Sequence, residues 1–503
     1  MKKRSIVKNS LILTGFSLAM RVSGILFSMY VATGIGAEGM GLYQLTYSAF
    51  AFGVTAATAG ISVAVTRVLT EEQGRGRQGS EGGIMRCALF YATAVSAAVM
   101  ALVLYLSEPI GTELLGDPRT VRSLRVLSPA LPLMAWAACF KGQLLAVRRP
   151  VQIAISDAME QAVEVGAFLL LIRRMPDADT ETACAMIAAG VTLSELLSCA
   201  YLAYAYLQHR ERRGKPSRSG FFRRLMAVAL PVAGSSILAS GLRTMENVMV
   251  PAGLEKSGLS AADALSQYGM VRGMAIPVIF LPFAFLSAVT SLLMPEVSEA
   301  QAAGQDGYIR GLIRRVIRYT LLLSFPAMGI FFVFAHPIAA LVYENDQVGM
   351  ILLILAPLVP LMYFDAVADG ILKGLGQQNW VLRCNIVDSV IRVILVWRLI
   401  PAWGFTGFMT VMYVSNILNP VLSVHRMMRL SGVRMEAGEW LGKPVLAAAA
   451  AALLTRALCL RHPVMQTEVR VVVTEMVLLV LLYIGFLLLL TPTTIHRKAR
   501  QRA

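Results

Sequence analysis

Residues 17–30 read SLAMRVSGILFSMY, and Arg21 stands in the middle of an apolar run that continues to about residue 33. That run is long enough for a helix to cross a bilayer. An arginine at the centre of such a helix costs roughly 2.5–3.5 kcal/mol on insertion scales, so it needs a compensating role. The whole chain shares the character of the stretch. Its 503 residues are 56% hydrophobic and only 15% charged, with a mean hydropathy of +0.64. A soluble surface cannot be built from that composition. The first residues, MKKRSIVKNSLILTGF, are basic and then apolar like a signal peptide, but no small-x-small cleavage site follows. They are read as an uncleaved first span.

Windows of about 20 apolar residues occur fourteen times: 10–33, 42–66, 86–107, 122–146, 151–172, 183–207, 225–248, 265–293, 316–343, 350–373, 380–400, 404–424, 441–460 and 468–491. Lysine and arginine gather on one side of them, above all in QHRERRGKPSRSGFFRR (208–224), RGLIRRVIR (310–318) and the tail HRKARQRA. The positive-inside rule then puts both termini in the cytoplasm. The formal charge of +16 sits beside spans, where anionic lipid head groups attract it, and so it does not call for nucleic acid. The six cysteines lie in or at the ends of spans without metal-site spacing. No phosphate-binding glycine loop, zinc-protease motif or nucleophile elbow occurs, and nothing points to covalent chemistry or a cofactor.

The chain repeats itself. FKGQLLAVRRPVQIAISDAMEQAVEV (140–165) parallels DGILKGLGQQNWVLRCNIVDSVIRV (369–393), with Gly142 to Glu160 and Gly370 to Asp388 equally spaced. VAVTRVLTEE (63–72) parallels SAVTSLLMPE (287–296) at nearly the same offset, which carries Arg21 to within two residues of Arg243. Six spans separate the copies, an even number, so the halves share one orientation and are related by an axis along the membrane normal. The expected fold is an all-α polytopic membrane protein of about fourteen transmembrane helices. Two pseudo-symmetric six-helix lobes, 1–210 and 211–435, precede two further helices and a basic tail at 436–503.

Several of these residues carry a resemblance. KNSLILTGFSLAMRVSGILFSMYVATGIGAEGMGLYQL (8–45), GISVAVTRVLTEE (60–72), the 140–165 segment and DGILKGLG (369–376) together resemble the polysaccharide flippases of the multidrug/oligosaccharidyl-lipid/polysaccharide exporter superfamily. Within it they are similar to the stage V sporulation protein B branch, related to the lipid II flippases. The likeness runs from about residue 5 to 430. It implies a bacterial cytoplasmic-membrane transporter working by alternating access, monomeric, with a lipid-linked oligosaccharide as substrate. It also implies a cavity whose arginines hold a diphosphate. Arg21, in MRVSGI, matches the first-helix arginine of the lipid II flippases, and Arg272, in YGMVRGMAIP, matches the eighth-helix one. Phe27 and Ala275 depart from the pattern, standing where the relatives have a second arginine and an acid.

Each buried charge also has a structural reading. Arg21 could pair with Glu160, Glu164 or Glu246, and Arg243 with Glu246 three residues on. Lys141, near a span end, is expected to snorkel. Among the acids, Glu195, Asp365, Asp369 and Asp388 are placed for coupling to sodium, protons or the membrane potential. Glu246, Asn385, Asp388 and Glu160 form either a cation site or an ion-pair network, with Arg392 four residues after Asp388 favouring the latter. Three function classes result: a flippase for an undecaprenyl-linked sugar, a cation-coupled multidrug exporter that should show an acid-rich cavity, and a non-transporting scaffold.

Overall fold

The computed structural model describes residues 2–58, 60–75, 80–174, 179–209, 220–433, 438–459 and 468–490. The basic stretch 210–219 and the tail 491–503, on which the orientation argument leans, lie outside them. Among the described residues all regular structure is helical. In chain order the helices are α1 (Lys2–Thr58), α2 (Ile61–Gly74), α3 (Glu81–Tyr105), the short α4 (Ser107–Pro109), α5 (Thr120–Leu127), α6 (Ala130–Ala146), α7 (Pro150–Arg174), α8 (Thr180–His209), α9 (Phe221–Lys256), α10 (Ala261–Gly269), α11 (Ile276–Ala302), α12 (Asp306–Tyr343), α13 (Asp346–Leu355), α14 (Val359–Gly374), α15 (Gln378–Ser431), α16 (Lys443–Cys459) and α17 (Val469–Leu490). Among the described residues, nine helical stretches are long and apolar enough to cross a membrane, ten if α5 and α6, bent by 40°, form one broken span. This is a multi-span membrane protein.

Two helices far exceed one span. α1 runs 57 residues and α15 runs 54, about 85 and 80 Å at 1.5 Å per residue, against a hydrocarbon core of about 30 Å. Each is broken at one glycine, Gly36 (φ 72°) and Gly404 (φ 55°), in the left-handed region that side chains with a Cβ avoid. Helical hydrogen bonding resumes at once on either side. The gaps between apolar windows at 34–41 and 401–403 are therefore helical corners.

The chain divides into two compact units, the first made of Met1–Gly269 and Ser389–Gly407, the second of Met270–Asp388 and Phe408–Ala503. Within the first, small residues let backbones approach, as expected where lipid removes the hydrophobic drive between helices. A Cβ on Gly142 of α6 would lie 2.6 Å from the Ser62 carbonyl oxygen of α2, and Thr66 Oγ1 donates to the Gly142 carbonyl at 2.9 Å. A Cβ on Gly41 would lie 2.0 Å from the Leu265 carbonyl oxygen of α10. The buried core around this contact includes Ile61, Val65, Ile84, Met85, Leu144 and Leu202.

In the second unit, buried and half-buried tyrosines tie helices to one another. Tyr343 donates to the Met274 carbonyl at 3.0 Å, Tyr363 to Ile279 at 2.5 Å and Tyr413 to Ile354 at 2.5 Å. α12 begins with Arg310, Arg314, Arg315 and Arg318 exposed on one face and Ile309, Leu312, Ile313, Val316 and Ile317 buried on the other. The 3.6-residue period of the RGLIRRVIR run produces this division. Further along, α12 breaks at Phe334 (φ −112°, ψ 16°), because Pro337 has no N–H for the Val333 carbonyl.

Candidate functional site

In the first unit, Arg21 is exposed, and among the described residues of that unit no hydrogen bond or ion pair reaches it. The pairing with Glu160, Glu164 or Glu246 that the sequence allows is not made there. One turn further along α1, Gly24 and Ser28 line a cavity of 320 Å³. Its opposite wall is α7, whose Asp157, Glu160 and Glu164 fall at i, i+3 and i+7 on one face. α1 comes close to that wall because Gly24 lacks a side chain: a Cβ there would sit 3.0 Å from Gln161 Nε2. Asp157 takes Lys141 Nζ at 2.8 Å, so Lys141 is an ion-pair partner where snorkelling was expected. Ser198 of α8 donates to Glu160 Oε2 at 3.4 Å and to, or from, Ser156 at 2.8 Å. Glu195, also on α8, is buried, 5% exposed.

Arg243 and Glu246 do not satisfy each other. Arg243 is exposed, whereas Glu246, 3% exposed, takes Arg392 Nη1 on Oε1 at 3.2 Å. Besides the i+4 spacing to Asp388 that the sequence offered, the fold brings Arg392 to Glu246 on α9. A guanidinium thereby stands at the Glu246 carboxylate.

In the second unit, Arg272 is half-buried in a π-helical turn, Met270–Ala275, inserted between α10 and α11. Such turns recur at functional sites because the extra residue displaces side chains from the regular ladder. Nearby in sequence order, α14 and α15 build a polar network. Asn419 Nδ2 donates to Asp365 Oδ2 at 2.9 Å and to Asn385 Oδ1 at 3.4 Å, and Ser415 Oγ lies 2.8 and 3.0 Å from the two oxygens of Asp388. Lys373 stands 3.7 Å from Asp369. Two acceptors in this network, Asp365 Oδ1 and Asn419 Oδ1, are buried with no hydrogen-bond donor. Oxygens of this kind suit a hard cation, which draws its ligands from carboxylates and amide carbonyls. Among the described residues no three His, Cys, Asp or Glu side chains are grouped to hold a metal ion.

The repeat is visible in this chemistry. Glu160 and Asp388, equivalent in sequence, each accept from a serine on the following helical segment, Ser198 and Ser415. Ser415, Asn419 and Asp157 escaped the sequence reading. Asp157 carries a signal that would have found it, the i, i+3, i+7 spacing with Glu160 and Glu164. Arg21 and Arg272 belong to different units.

Residues 6–301 match the family described as "Polysaccharide biosynthesis protein". The chain belongs to that family. Residues 224–397 also match the MatE family. Among curated proteins, this family member is 24% identical to stage V sporulation protein B of Bacillus subtilis (strain 168) over 81% of its own length and 80% of the relative's. It is 19% identical to the lipid II flippase MurJ of the same organism over 84% and 82%. Among solved structures, lipid II flippase MurJ in its inward closed conformation superposes with a TM-score of 0.71 at 12% identity, covering 96% of this chain and 98% of that one. At such identity the superposition speaks for the fold alone.

Proposed function

We propose that this chain is a flippase, a transporter and not an enzyme, that carries an undecaprenyl-linked (di)phosphate sugar precursor of cell-wall, spore-cortex or surface polysaccharide across the bacterial cytoplasmic membrane. Family membership and the likeness to a lipid II flippase support the class. The observation that carries the site is Arg21, a guanidinium at the middle of a span, exposed and without a carboxylate partner in its own unit. Intramembrane arginines that are not neutralised by a neighbour mark a pathway, and the planar guanidinium fork suits a diphosphate.

In this reading the chain has fourteen spans, α1 and α15 supplying two each, in two six-helix lobes with both termini cytoplasmic, and it works as a monomer. The lobes rock to expose one cavity to each side in turn. Arg21, Arg272 and, as a third member, Arg243 hold the diphosphate. When empty, their guanidiniums repel and keep the lobes apart; an entering diphosphate relieves that repulsion and favours closure. Coupling draws on sodium, protons or the membrane potential. The Asp365, Asn385 and Asn419 network supports a cation. The basic face of α12 meets anionic head groups.

A second reading, a cation-coupled multidrug exporter, is favoured by one observation: the cavity of the first unit is lined by Asp157, Glu160 and Glu164. Complementation separates the two. A strain lacking every lipid II flippase should grow when this chain is expressed, and no protection against cationic drugs should follow. Normal insertion with no rescue of growth or of spore-cortex synthesis, together with drug efflux, would transfer the assignment to the exporter.

A further inference from the structure

We infer that the second unit holds a resident anionic phospholipid in a cavity between α12 and α16, independent of the flipped substrate. The cavity measures 630 Å³. Its walls are apolar, with Met328, Phe332, Val333 and Leu353 on one side and a file of small residues, Ala448, Ala449 and Ala452, on the other. Its origin is the broken helix. At Phe334 the axis of α12 shifts, and the alanines of α16 are too small to refill the space that opens.

The cavity has a polar end. α12 and α16 ascend side by side, with Gly329 against Ala448 deep in the cavity and Pro337 and Arg456 both lining it further up. The eight residues from Gly329 to Pro337 rise about 12 Å, close to the depth of one leaflet, about half of a 30 Å core. At the top stand His336 and Arg456. His336 is fixed by Asp346, whose Oδ1 is 2.5 Å from Nδ1, and by the close approach of Gly349. Arg456 is exposed, and among the described residues no carboxylate pairs with it. A slot one leaflet deep, apolar along its length and capped by an unneutralised guanidinium, matches a lipid with a fatty acyl chain and a phosphate head. With cytoplasmic termini, the Arg456 end faces the outer leaflet.

The test is native mass spectrometry of the full-length chain released from nanodiscs containing equal amounts of phosphatidylglycerol and phosphatidylcholine. Wild-type protein should retain phosphatidylglycerol about fivefold over phosphatidylcholine, the ratio that about 1 kcal/mol for one arginine near a lipid surface gives. Arg456→Gln should erase that preference, whereas Ala452→Phe, which fills the slot, should strip both lipids. Should Ala452→Phe fail to fold, Arg456→Gln alone decides. Unchanged phosphatidylglycerol retention in Arg456→Gln would overturn the assignment. So would expulsion of the phosphatidylglycerol from wild-type protein by an equimolar amount of undecaprenyl phosphate, which would give the slot to the substrate's tail.

Discussion

Arg392 Nη1 lies 3.2 Å from Glu246 Oε1, joining α15 to α9 across 146 positions of sequence. Glu246 is 3% exposed, and this partner offsets part of the cost of burying its charge. Arg392→Ala should lower stability by about 3–5 kcal/mol, since it takes a guanidinium away from a buried carboxylate. The double variant Arg392→Leu with Glu246→Leu should recover most of that loss. Thermal unfolding in detergent checks both, and a single variant as stable as wild type would remove the pair from the account of the fold.

Close helix contact makes a contrasting pair of predictions. Gly41→Ala drives a Cβ to within 2.0 Å of a carbonyl oxygen, a backbone atom that cannot rotate away, and should cost at least about 1–3 kcal/mol or abolish folded yield. Gly166→Ala, in α7 with nothing within 4 Å of its new Cβ, should be neutral or stabilising by about 0.5–1 kcal/mol. Equal melting temperatures for the two variants would contradict the packing described for α1 and α10.

How much of this was legible beforehand differs by residue. The apolar windows lie largely on helix among the described residues, with 42–66 crossing the break between α1 and α2 and 122–146 the break between α5 and α6, because hydropathy acts locally and lipid favours a helical backbone. The corners at Gly36 and Gly404 showed only where one window gives way to the next, since a composition window cannot see that one left-handed glycine suffices to turn the chain. The contact of Arg392 with Glu246 was not legible for a different reason: helical spacing names i+4 neighbours, whereas a partner on another helix is set by packing far from the local sequence. Ser415 and Asn419 were overlooked because single hydroxyl and amide residues in apolar spans are common, and only their convergence on Asp388 and Asp365 distinguishes them.

Coupling is tested at the network of the second unit. Asn419→Ala removes the donor to Asp365 Oδ2 and one of the two donor-free oxygens. Transport by this variant in vesicles should lose its response to an imposed sodium gradient while insertion stays normal. A sodium response of wild-type size would exclude this network as the coupling site.

Topology rests on charge and can be read with thiol reagents. A single cysteine placed within 210–219, in protein otherwise free of cysteine, should react with a membrane-impermeant maleimide only after the cells are opened. Labelling in intact cells would invert the assigned orientation.

The central claim is that Arg21 and Arg272 act together on the diphosphate of a lipid-linked sugar. Its most direct test is the rate at which purified protein in vesicles moves a fluorescent undecaprenyl-diphosphate sugar between leaflets. Charge-assisted hydrogen bonds contribute about 1.5–3 kcal/mol each, so Arg21→Ala and Arg272→Ala should each slow transport by at least about tenfold at normal insertion levels. Arg21→Lys, which keeps the charge but loses the planar fork, should fall between. Wild-type rates in both alanine variants would contradict the diphosphate site and leave Arg21 without a role in transport.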